Sequence, residues 1–240
     1  MGVDTPARPN GFKVALDTIL APKEAFEAIR TAPTWFIALA ITIVVTMIGS
    51  YLQVPATAHA LAADWPNQVA KSPGLAGMTS DQQQAALASA QKIIGFGFIS
   101  WLIIVPFFTL VSTIVMAIFN ALGRGEGSFG KYWAAACNIG LVGLGISFVI
   151  LTAIVLVRGA DSFNSPAELQ RAIPSLAMLA PGSSPKLLAL LYAFNPMALW
   201  SSWLTVVAMQ VIGRVPSLQA WLAGITMFLI PTLIGVGFAK

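Results

Sequence analysis

The sequence predicts an all-α fold: a polytopic membrane helix bundle of about five transmembrane helices with an N-terminal interfacial amphipathic helix. Three observations predict it. Apolar residues make up 57% of the chain and charged residues 9%, too few charges to cover the surface of a water-soluble domain of this length. Five stretches, residues 34–54, 93–122, 132–157, 187–212 and 217–239, contain no Asp, Glu, Lys, Arg or His. Each runs to about 21–30 residues, at or above the roughly 20 that a helix needs to cross about 30 Å of hydrocarbon while bonding its own backbone groups. The short alternating segments of a closed barrel are not seen. The chain therefore divides into a cytoplasmic or interfacial amphipathic segment, 1–33, and a five-helix membrane domain, 34–240.

Residues 1–30 mix polar and apolar positions and lack a compact apolar run followed by a small-residue cleavage site. The first span is thus expected to act as its own insertion signal. Within this segment Phe12, Leu16, Ile19 and Leu20 share a helical face while Lys13 and Asp17 fall elsewhere, the pattern of a helix lying on the membrane surface. Pro22 suits the first turn of a second short helix, with Glu24 near its start, Arg30 near its end, and Phe26 and Ile29 on one apolar side. Two surface helices that dock the start of the bundle are the expectation, ahead of a partner-binding helix.

Between spans one and two, residues 55–92 read as a loop of modest polarity. It carries the one histidine, His59, whose nearest acid, Asp64, stands five residues away, so a structural or solvent-facing role is expected rather than metal binding or proton relay. Ser80 with Gln83 three residues on fits a capping box, so the second helix is expected to begin in water and run into the bilayer. Spans two and three are joined by Gly123-Arg124-Gly125-Glu126-Gly127-Ser128-Phe129-Gly130-Lys131, too short to bridge distant helices, which makes them antiparallel neighbours. This glycine-rich run lacks the Gly-Lys-Ser/Thr ending and the preceding buried strand of a nucleotide cradle. A flexible interfacial turn whose basic residues reach head groups is expected instead.

After span three, Ser165-Pro166-Ala167-Glu168 is a second capping-box match, predicting a short helix from Pro166 to about Ala172 that Pro174 ends. Asn195-Pro196 interrupts the next apolar run, because Asn caps well and Pro disfavours helix in the residue before it. Span four therefore starts at either Leu187 or Pro196. Pro106, Pro196 and Pro231 each lie in a span, as kink sites. Gly140, Gly143 and Gly145, with Gly95 and Gly97 and Gly235 and Gly237, read as small residues that let helices approach.

Orientation follows from the basic residues. With the N-terminus inside, Arg8, Lys13, Lys23, Arg30, Arg124, Lys131 and Arg214 lie on the cytoplasmic side, against Lys71, Lys92, Arg158, Arg171, Lys186 and Lys240 opposite. The margin favours that orientation once the two long loops are discounted, since lengthy segments translocate largely regardless of charge.

The chemistry left open by this composition is narrow. Lys and Arg are scattered singly, so no run exists to neutralise a row of phosphates and no nucleic-acid partner is expected. One histidine and one cysteine, Cys137, exclude an internal disulfide and a multi-thiolate metal site and leave little scope for Ser/His/Asp or Cys/His catalysis. No cofactor, metal or catalytic residue is assigned. An ion-coupled carrier needs ionisable groups at mid-membrane, and the spans supply none. Neutral polar residues remain: Asn138, Asn195 and Gln210 lie in or beside spans, where helix-to-helix bonding is the commoner use.

Ile19-Leu20-Ala21-Pro22-Lys23-Glu24-Ala25-Phe26 ahead of Trp35, then Gly127-Ser128-Phe129 before span three, then Leu199-Trp200 opening span four, make the chain similar to the Yip family, the Ypt/Rab-interacting membrane proteins, and particularly to its bacterial members. The resemblance runs over most of the chain. Where that family's turn usually shows two adjacent glycines, this chain has Gly123-Arg124-Gly125. The resemblance implies five helices with a cytoplasmic N-terminus, a bacterial cytoplasmic (inner) membrane location and a membrane-organising or adaptor role; it does not establish a small-GTPase partner. The expected function is a non-enzymatic scaffold or accessory subunit acting through helix packing with other membrane proteins or lipid. The alternative is a transporter or channel component for a neutral or lipidic solute. Candidate contacts to a partner or lipid are Gly127, Ser128, Phe129, Lys131, Asn138 and Asn195.

Overall fold

A computed structural model describes residues 9–239; Arg8 and Lys240, counted in the charge comparison, lie outside the described residues. The chain opens with α1, Gly11–Leu20, and α2, Pro22–Thr31. Asn10 caps α1 by accepting from the Phe12 amide at 3.0 Å. Val14, Ala15 and Thr18 are buried, while the bulkier Phe12, Leu16 and Leu20 stay exposed at 64%, 54% and 71%. Small side chains thus dock α1 on the protein, and a large apolar stripe is left outward, as an interfacial helix requires. In α2, Ala25, Phe26 and Ile29 are wholly enclosed.

Span one is α3, Phe36–Leu52, which bends by 49° into α4, Val54–Lys71. The expected loop after span one is therefore helical for most of its length: α4 is followed by the single turn α5, Pro73–Ala76, and by α6, Ser80–Phe96. Its many alanines, the strongest helix formers, carry this, although their weak hydropathy hides it from a polarity reading. Thr79, not Ser80, is the cap: it accepts from the Gln82 amide while Gln82 accepts from the Thr79 amide. Both spacings fit the motif, but Thr79 alone is extended, and Gln83 turns back to donate to the Leu75 and Met78 carbonyls.

A 3-10 turn, Gly97–Ser100, joins α6 to α7, Trp101–Leu122. Span three runs unbroken as α8, Phe129–Gly140, a π-helical stretch, Leu141–Ile146, and α9, Ser147–Arg158. The short α10, Pro166–Gln170, is capped by Ser165, which accepts from the Glu168 amide; Glu168 itself reaches the Asn164 amide, one residue before the reciprocal position. Span four is both alternatives at once, α11, Pro185–Ala193, and α12, Pro196–Ile212, meeting at 51°. The last helix is α13, Ser217–Phe238. Three helical runs, Ser80–Leu122, Phe129–Arg158 and Ser217–Phe238, are long and apolar enough to cross a membrane, and each bent pair counted as one span brings the total to five.

The main core joins the two N-terminal helices to the bundle. Phe26 and Ile29 of α2 pack with Tyr132 of α8 and with Leu204, Met209 and Ile212 of α12. For a helix at the membrane face, enclosing each of those two side chains is worth about 1.5–3 kcal/mol over leaving it in water. A satellite core at the opposite end gathers Ala56 and Ala60 of α4, Val155 of α9 and Phe163. There His59 donates from Nδ1 to the Phe163 carbonyl at 3.1 Å, and the Arg158 guanidinium lies 4.4 Å over the Phe163 ring. His59 is thus a structural tie between α4 and the segment after span three.

Close helix approach does occur at glycine, though only partly at those expected. Gly143 abuts Ser201, but Gly95, Gly97, Gly140, Gly235 and Gly237 have no neighbour among the described residues that a side chain would meet. Gly49 against Thr152, and Gly224 against Val206 and the Ser202 carbonyl, are the tight contacts. Spacing identifies a stripe of small residues; which face it covers depends on neighbours that sequence does not supply.

Candidate functional site

At the end of the bundle that carries α1 and α2, α7 carries Asn120 in its last turn and ends at Leu122, and the chain reverses through residues 123–128 into α8. The reversal is built on the Asn120 amide group. Its Nδ2 donates to the Gly125 and Gly127 carbonyls, each at 3.2 Å, and its Oδ1 accepts from the Gly127 amide at 3.1 Å and from the Tyr132 hydroxyl at 2.7 Å. Tyr132 has no exposed surface, so this phenol needs an acceptor, and Asn120 supplies it.

The same network reaches the connection between spans four and five. The Glu126 amide donates to the Gly213 carbonyl at 2.7 Å, and the Val215 amide turns back to the Met209 carbonyl. A Cβ on Gly125, Gly127 or Gly213 would run into the Asn120 amide or the Tyr132 hydroxyl. These glycines are therefore demanded by close approach and not by flexibility. The expected mobile turn is instead a hydrogen-bonded junction between two helical hairpins, α7–α8 and α12–α13. Arg124 and Arg214 hold matching left-handed conformations, φ 52° and 50°. An ion pair from Arg214 Nη1 to Glu126 Oε2 at 3.2 Å adds little, since both side chains are mostly exposed.

The candidate residues fall in three places. Gly127, Ser128, Phe129 and Lys131 belong to the junction. Ser128 stands at the cap position of α8, where its carbonyl accepts from the Lys131 and Tyr132 amides while its side chain stays uncommitted. Phe129 is 51% exposed, and Lys131 makes no ion pair among the described residues. Asn138 lies deeper in α8, fully buried, donating to the Thr34 carbonyl at 3.0 Å and the Ala134 carbonyl at 2.8 Å; it ties span three to the start of span one. Its Oδ1 has no partner among the described residues. Asn195 is at the other end of the bundle, where it accepts from the Ala198 amide at 2.9 Å and donates to the Tyr192 carbonyl at 3.1 Å. It caps α12 and ties it back to α11. The structure does not bring Asn138 and Asn195 together.

Asn120 and Gly213 complete the junction without standing out in the sequence. Asn120 lies in an apolar stretch one turn before the glycines, and the reasoning that singled out Asn138 applies to it equally. Nothing local marks Gly213, because its need arises from a phenol more than eighty positions earlier. Gln53 was likewise hidden: buried at the bend of α3 into α4, it donates to the Thr152 hydroxyl at 2.8 Å.

No curated protein and no solved structure matches this chain. A family model, the Yip1 domain, matches residues 16–239, from α1 through α13 and including both connections of the junction. With a match of that extent on a bundle of apolar helices, the chain belongs to the Yip1 domain family of membrane proteins.

Proposed function

We propose that the protein is a non-enzymatic membrane scaffold or accessory subunit, with no cofactor and no catalytic group, that works by packing against other membrane proteins or lipid. The observation that carries this reading is how the polar side chains of the spans are used. Asn120, Asn138 and Asn195, the groups most suited to gripping a solute, are bonded mainly to the protein's own backbone. What the junction turns outward is Phe129, Arg124 and Arg214, with the half-buried Lys131 beside them, an aromatic and basic surface suited to head groups or to an acidic partner segment.

In this reading the junction faces the cytoplasm and the chain resides in a bacterial inner membrane. The gathering of Lys13, Lys23, Arg30, Arg124, Lys131 and Arg214 at one end supports the orientation. The test is purification in mild detergent followed by reconstitution. A stoichiometric membrane partner, lost on Phe129→Ala with Lys131→Gln while the protein still folds, is the expected result. Solute flux in vesicles of the protein alone, abolished by Asn138→Leu or Asn195→Leu, overturns the scaffold reading in favour of transport.

A further inference from the structure

A cavity of about 780 Å³ opens where α11 and α12 meet at their bend and follows the C-terminal half of α13. Its volume falls within the roughly 300–1,000 Å³ of small-molecule sites. Leu188, Phe228 and Phe238 give it apolar walls, while Gln170, Arg171 and Tyr192 stand among its polar lining. From Met227 to Ala239, both lining residues, a helix rises roughly 18 Å at about 1.5 Å per residue. That is close to half of a hydrocarbon core about 30 Å thick, the depth of one leaflet.

The one charged side chain in the lining stands at one end of that depth, while the deeper polar groups, Asn195, Ser201, Ser202 and Thr232, are bonded to backbone groups of their own helices. Gln170 and Arg171 come from the connecting segment outside the spans, and Pro185, at the start of α11, also lines the cavity beside the exposed Lys186. Arg171 makes no ion pair among the described residues, because the acid three positions before it, Glu168, is taken by Arg158 at 3.3 Å and by the Asn164 amide at 2.9 Å. The mouth is therefore cationic at head-group level and the walls below it carry no charge. At Pro231 the chain has no N–H to offer the Met227 carbonyl, and the Thr232 hydroxyl donates to the Phe228 carbonyl.

We propose that this cavity holds one anionic phospholipid of the leaflet at that end, its phosphate against Arg171 and one acyl chain lying along α13. Charge complementarity at the mouth selects the head group, and the one-leaflet depth fits a chain entering from the bilayer. A compact neutral solute would use neither. The inference goes beyond the scaffold reading and depends only on the membrane-spanning fold, so failure of the partner experiment leaves it standing.

The experiment is native mass spectrometry of the purified full chain offered equal phosphatidylglycerol and phosphatidylcholine, with inorganic phosphate as a separate competitor. The wild type is expected to retain phosphatidylglycerol about tenfold over phosphatidylcholine, with the preference falling as salt is added. Arg171→Gln removes the preference and Arg171→Lys restores most of it. Gly235→Leu, at a lining position where a side chain meets no neighbour, reduces retention of both lipids without lowering the melting temperature. Equal retention of the two lipids by the wild type, a preference insensitive to salt, or an unchanged preference in a folded Arg171→Gln protein overturns the proposal. Displacement of the lipid by millimolar phosphate overturns it too, in favour of a free-anion site. The wild-type measurements decide the matter even where a variant fails to fold.

Discussion

Arg124 occupies a conformation that costs an L-residue about 1–2 kcal/mol and glycine almost nothing. Arg124→Gly is therefore expected to leave the fold intact and to raise the melting temperature in detergent slightly. Gly213→Ala, one residue before the matching left-handed position, places a methyl group on the Tyr132 hydroxyl and is expected to cost about 2–4 kcal/mol through lost hydrogen bonds and overpacking. A melting temperature unchanged by Gly213→Ala would show that the junction is not closed as described. These residues mark where sequence reading ends. The glycines, Ser128 and the aromatics were visible as a turn, and Asn138 and Asn195 as polar groups in apolar surroundings. That the turn is rigid was not visible, because rigidity comes from an amide in one hairpin meeting a phenol and a glycine that sequence separates widely.

Among the elements, spans were legible wherever hydropathy decided them: the end of α7 and both ends of the helix from α8 to α9 and of α13 fall within three residues of the expected limits, whereas α7 itself starts eight residues after the expected Ile93, beyond a 3-10 turn. Capping chemistry placed the starts of α6 and α10, with a one-residue slip where Thr79 and Ser80 offered equal patterns. Where hydropathy is neutral, as in the alanine-rich α4, a helix and a loop look alike in the sequence. Contacts between elements were legible least. Span four and span five approach through Gly224, which sits alone in its sequence neighbourhood, whereas the conspicuous pair Gly235 and Gly237 has open space around it. Gly224→Leu is expected to force α12 and α13 apart, with a loss of about 2 kcal/mol or more. Gly237→Ala is expected to be neutral or to stabilise α13 by about 0.5–1 kcal/mol. Thermal melting of the two variants side by side checks the assignment, and equal losses would contradict it.

At the scale of the whole molecule, two ends of different character are joined by the spans: the hydrogen-bonded junction with α1 and α2 at one, and the bent helices with the satellite core around Phe163 at the other. Cys137 is buried, so its replacement by alanine gives a silent background for surface labelling. With an inward-facing junction, Ser183→Cys reacts with an impermeant maleimide in intact cells and Ser128→Cys only after lysis; the reverse pattern would invert the topology. The core contact between α2 and α12 has a consequence for biosynthesis. Helix α2 leaves the ribosome long before α12, and its binding surface is complete only once α12 has been made. Until then Phe26 and Ile29 lack the α12 side of their cover, and a nascent chain halted before residue 196 is expected to be cut by protease near α2, where the finished protein resists.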